Sequence, residues 1–143
     1  MTITNIDQAA YTDGDRQGDA AAWRYLDLSG AHLGARIEEL SPGGTSSHHH
    51  YHTAEEEHVL VLNGRATLHL GDAEHPLTAG EHICFRAGEA VPHHISNNSA
   101  APFRFLVFGE RRDDDVVFYP KGSVVLVKSS AGPKLYRYED YEP

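Results

Sequence analysis

Between positions 45 and 64 the chain reads TSSHHHYHTAEEEHVLVLNG, which packs four histidines and three glutamates between 48 and 57. Neutral imidazoles and carboxylates are the donors that borderline divalent metals accept. Side chains at i and i+2 of a strand share a face, so His50 and His52 can point together with Tyr51 turned away. Two imidazoles side by side make half of a metal site. With Glu57 from the adjoining segment and a further histidine from elsewhere, the set becomes three nitrogens and one carboxylate. That mixture suits Fe, Mn, Zn, Co, Ni or Cu as one divalent ion, and affinity order alone does not choose among them. Plainer readings compete: a solvated histidine pair, and a triple glutamate that is only a polar turn. A purification tag is disfavoured, because the run is internal, is broken by Tyr51 and continues into strand-like sequence.

Such a site needs strands to carry it, and the chain has them. After a polar lead-in (1–20), short apolar or alternating segments are punctuated by glycine, proline and asparagine, the pattern of an all-β domain over 21–143. The expected strands are WRYLDL, ARIEEL, HVLVL, ATLHL, HICF, FRFLVF, DVVFY, SVVLV and KLYRY. Turn signals at 41–44, 70–77, 79–81 and 97–102 recur at the spacing of sandwiches and barrels. Asn63-Gly64 is a two-residue hairpin signal, which predicts HVLVL and RATLHL as antiparallel neighbours. HVLVL is apolar on both faces, so its outer face should be covered, and a homodimer is the expected means.

A length of 143 residues fits one domain with one core. The formal charge of −9, from 21 acidic and 12 basic residues, disfavours nucleic acid and anionic membranes as partners and leaves a small molecule. No apolar run approaches a bilayer span, and the start lacks a secretory layout, so a cytoplasmic location is expected. Cys84 is the only cysteine, which rules out an internal disulfide and a thiolate cluster. Flanked by Ile83 and Phe85 and without an adjacent cation, it reads as a buried small apolar residue. The NNS sequon at 97–99 carries no weight without a secretory signal.

The full spacing is more specific than the histidine pair. Gly44, five residues, His50, one residue, His52, four residues, Glu57, six residues, Gly64 resembles the first motif of the cupin superfamily at every specified position. Gly80, Gly88, His93 and Asn97, in GEHICFRAGEAVPHHISNN, resemble the second motif. Arg86 stands where that family has proline, and the loop before His93 is two residues longer. His94 and Asn98 satisfy the same spacing as His93 and Asn97, but His93 directly follows proline, as ligand histidines of that family often do. The resemblance covers 34–107 and extends to the tail around VVFYPKGSVV, which looks like that of small single-domain cupins. It implies a jelly-roll double-stranded β-helix with His50, His52, Glu57 and His93 as metal ligands.

A metal on four protein ligands keeps one or two positions for water or substrate, the arrangement of a catalytic site. The leading expectation is therefore a metal-dependent enzyme acting on a small polar metabolite by dioxygenase-, isomerase- or lyase-type chemistry. The alternative is a non-catalytic binding or sensing module, and a storage role comes third. Candidates for acid or base work are His48, Tyr51, His82, Glu55 and Arg65. His48 shares strand parity with His50 and His52. The plain reading of His48, His49, His58, His69, His75 and His94 is surface histidine, and that of Arg65 and Arg104 is outward charge.

Overall fold

The computed structural model describes residues 1–14 and 23–140, and among these regular structure is almost wholly extended. The strands in chain order are β1 (Thr12–Asp13), β2 (Trp23–Asp27), β3 (Leu33–Leu40), β4 (Tyr51–His52), β5 (Glu57–Asn63), β6 (Arg65–Leu70) and β7 (Ala73–Thr78). They continue with β8 (His82–Phe85), β9 (His93–Ser96), β10 (Phe103–Glu110), β11 (Val116–Tyr119), β12 (Val124–Val127) and β13 (Lys134–Arg137). Every segment expected to be a strand is one. Three strands were not anticipated, β1, β7 and β9, while β4 is the short strand on which the parity of His50 and His52 was read. β7 follows the turn-like Gly71 and Asp72 and contains Pro76, yet it forms an edge strand, where a missing N–H costs no ladder bond. The lead-in is not wholly apart from the domain, since β1 pairs with β2. Its expected boundary at residue 20 lies outside the described residues. No helix among the described residues is long and apolar enough to cross a membrane.

Two antiparallel layers face each other as a jelly roll. One sheet runs β1-β2-β3-β10-β5-β8. The other layer is made of β13-β12-β11-β4 and β7-β6-β9, linked by isolated bridges between His50 and His93 and between Thr45 and Ser96. The expected hairpin between HVLVL and RATLHL does not form. β5 pairs with β10 and β8, whereas β6 pairs with β7 and β9. Gly64 is instead the corner where the chain passes from one sheet to the other. Its φ is +90°, and a Cβ there would stand 2.6 Å from the Pro102 carbonyl oxygen, so only glycine fits.

Strand alternation decides which end of the barrel is filled. On the inner face, the register sets Leu40 beside Phe103 and Phe105 beside Val61, all essentially inaccessible to water. These two phenylalanines each contribute about 2–3 kcal/mol of apolar burial. Two rungs further along the same face, the residues become Gly34, Gly109 and Glu57. Bulk gives way to glycine and a carboxylate, so that end stays open as a cavity.

Candidate metal centre

His50 and His93 are held together by backbone, not by side-chain chance. His50 N–H donates to the His93 carbonyl at 3.2 Å and His93 N–H donates to the His50 carbonyl at 2.8 Å. Residues paired in this way project to the same face of a sheet, and the two ring centroids lie 4.7 Å apart. Alternation along β4 brings His52 to the same side, with its ring 5.2 Å from that of His50. Glu57 arrives from the opposite sheet, sharing inward parity with the buried Val59 and Val61 of β5. Donor atoms of His50, His52 and Glu57 lie within 4.8 Å of one another, and His93 Nε2 is 3.4 Å from Glu57 Oε1.

Neighbouring groups fix which nitrogen each ring offers. His50 Nδ1–H donates to the His48 carbonyl at 2.8 Å. His52 Nδ1–H donates to Asp115 Oδ2 at 2.7 Å. Both rings therefore carry the proton on Nδ1 and leave the Nε2 lone pair for the interior, the arrangement that supports a metal-binding imidazole. Asp115 is fully buried, and its Oδ1 accepts the backbone N–H groups of Thr53, Ala54 and Glu55. Burial pushes the Asp115 carboxyl upward, but these bonds, the His52 contact and Lys128 outweigh it and hold it below the usual carboxylate range.

The electrostatics favour a cation. His50 is lowered to about 4 by burial, with repulsion from His93 adding to it, so the ring is neutral at physiological pH. For Glu57, burial pushes upward, but the contact with His93 and attraction to His50, His93 and His52 bring it down to about 2. His93 Nε2 is buried and lacks a hydrogen-bond partner among the described residues. An orphaned buried nitrogen facing an ionised carboxylate and two lone pairs fits a divalent transition metal, which would satisfy every one of those atoms.

The three glutamates of the run go to three places. Glu57 faces the interior. Glu55 is buried under the network, its Oε1 accepting Arg112 N–H at 2.8 Å and its Oε2 paired with Lys128. Glu56 accepts from His58 Nε2 at 2.9 Å on the outside of the barrel. His93 and His94 also separate by alternation. His93 is buried and stacked on Phe85 with the planes 4° apart, whereas His94 stacks on His69 and its Nδ1 lies 2.7 Å from His49 Nδ1.

The other candidates are more dispersed. His48 does not continue the strand of His50 and His52. It sits exposed in a bend, bordering the cavity and giving its carbonyl to His50. Tyr51 stacks on Phe118, His82 lies exposed on β8 and Arg65 is exposed at the start of β6, none of them lining the main cavity. Arg104 pairs outward with Asp7 and Glu39. Cys84 is exposed, not buried, because Phe85 takes the inward position on β8. Sequence reasoning missed Asp115 and Tyr119, which share inward parity with the buried Val117; Tyr119 stacks on His50 at 5.7 Å. That alternation in DVVFY was the available signal.

The cavity over these residues measures about 830 Å³, within the size range of small-molecule sites. Beyond the histidines it is bordered by Trp23, Tyr25, Arg36, Glu38 and Arg111. Trp23 Nε1–H and Arg36 both bond the buried Glu38, and the Arg36 guanidinium lies over the Trp23 and Tyr25 rings.

A family model described as Cupin domain matches residues 36–109. The structure is similar to a sugar phosphate isomerase from a cupin superfamily of Silicibacter pomeroyi, with 26% identity, a TM-score of 0.87, and 99% of this chain and 96% of that one covered. It is also similar to a putative sugar phosphate isomerase from Acidithiobacillus ferrooxidans, with 31% identity, a TM-score of 0.76, and coverage of 84% and 80%. The polyketide cyclase RemF of Streptomyces resistomycificus shares the fold at 24% identity and a TM-score of 0.65, covering 77% of this chain and 79% of its own. A search of curated proteins found no match.

Proposed function

The chain belongs to the cupin family, and from that premise we propose that it is a metal-dependent isomerase acting on a small sugar phosphate or a similar polyhydroxylated anion. The observation that carries the metal centre is the buried His93 Nε2, which has no hydrogen-bond partner among the described residues and lies 3.4 Å from Glu57 Oε1. His50, His52, Glu57 and His93 would hold the ion. A divalent cation there would polarise a carbonyl or hydroxyl oxygen of the substrate.

The chain's own residues supply the rest. Asp115 and the His48 carbonyl orient two of the imidazoles. Tyr119, stacked on His50 and bordering the cavity, is the group we assign to passing a proton at its hydroxyl oxygen. Arg36 is anchored to Glu38 at 2.9 Å and lies over Trp23 and Tyr25, which presents a pre-oriented guanidinium to an anionic substituent. The substrate class rests on the similarity to the two sugar phosphate isomerases, because the fold alone also serves a polyketide cyclase.

The test begins with elemental analysis of untagged protein purified without a nickel column. About one interior equivalent is expected in wild type, lost in His52→Ala. Aldose–ketose interconversion is then followed over a panel of sugar phosphates, with activity expected to vanish in His52→Ala and Glu57→Gln. Metal bound at full occupancy with no turnover of any phosphate would instead assign the barrel to ligand binding.

A further inference from the structure

The strand that sends Glu57 inward sends His58 outward, and the outer face of this edge of the sheet holds a second group of donors. β5 and β8 pair with His58 directly opposite Cys84 and Leu60 opposite His82. Glu56, immediately before β5, reaches the same patch. Donor atoms of Glu56, His58 and Cys84 lie within 4.8 Å of one another. We infer that Glu56, His58 and Cys84, supported by His82, form a second divalent-metal site of the zinc or cobalt class on the outside of the barrel. It stands back to back with the interior centre and does not depend on it.

The spacing matches what a tetrahedral ion demands. With zinc-to-ligand lengths of about 2.0–2.1 Å for nitrogen and oxygen and about 2.3 Å for sulfur, tetrahedral angles place nitrogen and oxygen about 3.4 Å apart and nitrogen and sulfur about 3.6 Å apart. Here His58 Nε2 is 2.9 Å from Glu56 Oε1 and 3.9 Å from Cys84 Sγ. The observed separations bracket the required ones, and shifts of about half an ångström close the site.

The central ligand is also held in place. His58 runs nearly parallel to Phe108, with ring centroids 5.0 Å apart and planes 9° apart, and lies edge to edge with His82, with centroids 5.1 Å apart and planes 16° apart. His58 Nδ1 lies 2.9 Å from His82 Nε2. With a metal on Nε2, the His58 ring proton moves to Nδ1 and donates to His82, a supporting contact that fixes the tautomer. Cys84 is exposed, so an ion can reach it, and on binding the thiol proton is released to solvent. A thiolate, an imidazole and a carboxylate make a softer set than the interior one, which biases this site towards zinc and cobalt.

The uniqueness of Cys84 makes the test specific, since any thiolate signal must come from it. Metal-free full-length protein is titrated with cobalt(II) and followed in the near ultraviolet for sulfur-to-cobalt charge transfer. Wild type should show that band and one cobalt equivalent more than Cys84→Ser. Cys84→Ser should lose the band with an unchanged circular dichroism spectrum, because the residue packs on the surface. His52→Ala should keep the band, which separates this site from failure of the interior one. His82→Ala should weaken the band-forming affinity by about 10-fold. Zinc should also slow alkylation of Cys84 by iodoacetamide in wild type and much less in His58→Ala. Cobalt uptake without a near-ultraviolet band, or alkylation indifferent to zinc, would overturn the proposal, since either means that Cys84 is not a ligand and that the ion taken up sits in the interior centre or on surface histidines.

Discussion

Asp115 receives the His52 ring proton at 2.7 Å through one carboxylate oxygen and three backbone N–H groups through the other. One buried residue therefore orients a candidate ligand and ties down the 53–55 segment that leads to Glu57. Asp115→Asn keeps a comparable shape but loses charge, so metal affinity should fall by about 10–100-fold with the fold retained. Asp115→Ala strands the backbone donors and Lys128, and should cost about 3–5 kcal/mol of stability. Isothermal titration with zinc and urea unfolding measure the two effects. If Asp115→Asn binds zinc as tightly as wild type, the orienting role is wrong.

His50 predicts a pH dependence in the metal-free protein. Its pKa falls from 6.5 to about 4 on folding. As pH drops below 6.5 the unfolded chain takes up a proton that the folded chain refuses until about pH 4, so stability decreases through that window. A shift of this size corresponds to on the order of 3 kcal/mol. Urea midpoints of wild type should therefore fall more steeply than those of His50→Gln between pH 6.5 and 4, and parallel curves would contradict the assignment.

Gly109 faces Glu57 across the β10–β5 ladder, and a Cβ there would lie 2.3 Å from the Glu56 carbonyl oxygen. Gly109→Ala must push the start of β5 away from β10. Stability should drop by about 1–3 kcal/mol, in the range of overpacking. Because the displaced segment carries Glu57, zinc affinity measured well below the melting temperature should fall as well. Loss of stability with unchanged affinity would mean that the ladder yields elsewhere.

The strands and the spacing of His50, His52, Glu57 and His93 were legible because alternation and turn residues are local signals. What long-range pairing decides was not. Asn63-Gly64 has the composition of a hairpin, but Gly64 is used for close approach to Pro102, and the flanking strands join different sheets. Pro76 made an edge strand look like a turn. Asp115 lies far from His52 in sequence, and only the pairing of β11 with β4 brings them together. Cys84 was misplaced because HICF carries apolar residues on both sides, so composition did not reveal which parity faces inward.

Asn97 and His93 stand four positions apart in the second motif, and their surroundings give them different work. Asn97 is fully buried, donating from Nδ2 to the carbonyls of Leu40 and Ala101 at 2.9 and 2.8 Å and accepting from Ser99 N–H and Oγ–H. It closes the loop before β10 onto the end of β3, and none of its polar atoms turns to the histidines. Asn97→Ala leaves buried groups unpaired, so a loss on the order of 3 kcal/mol is expected, with interior metal uptake at low temperature unchanged. His93 makes the opposite trade, since its Nε2 has no hydrogen-bond partner to lose among the described residues. His93→Gln should retain a cooperative unfolding transition while interior metal affinity falls by more than the 10–100-fold typical of a supporting residue. If Asn97→Ala instead lost the metal while His93→Gln kept it, His93 would not be a ligand and Asn97 would be the residue that supports the site.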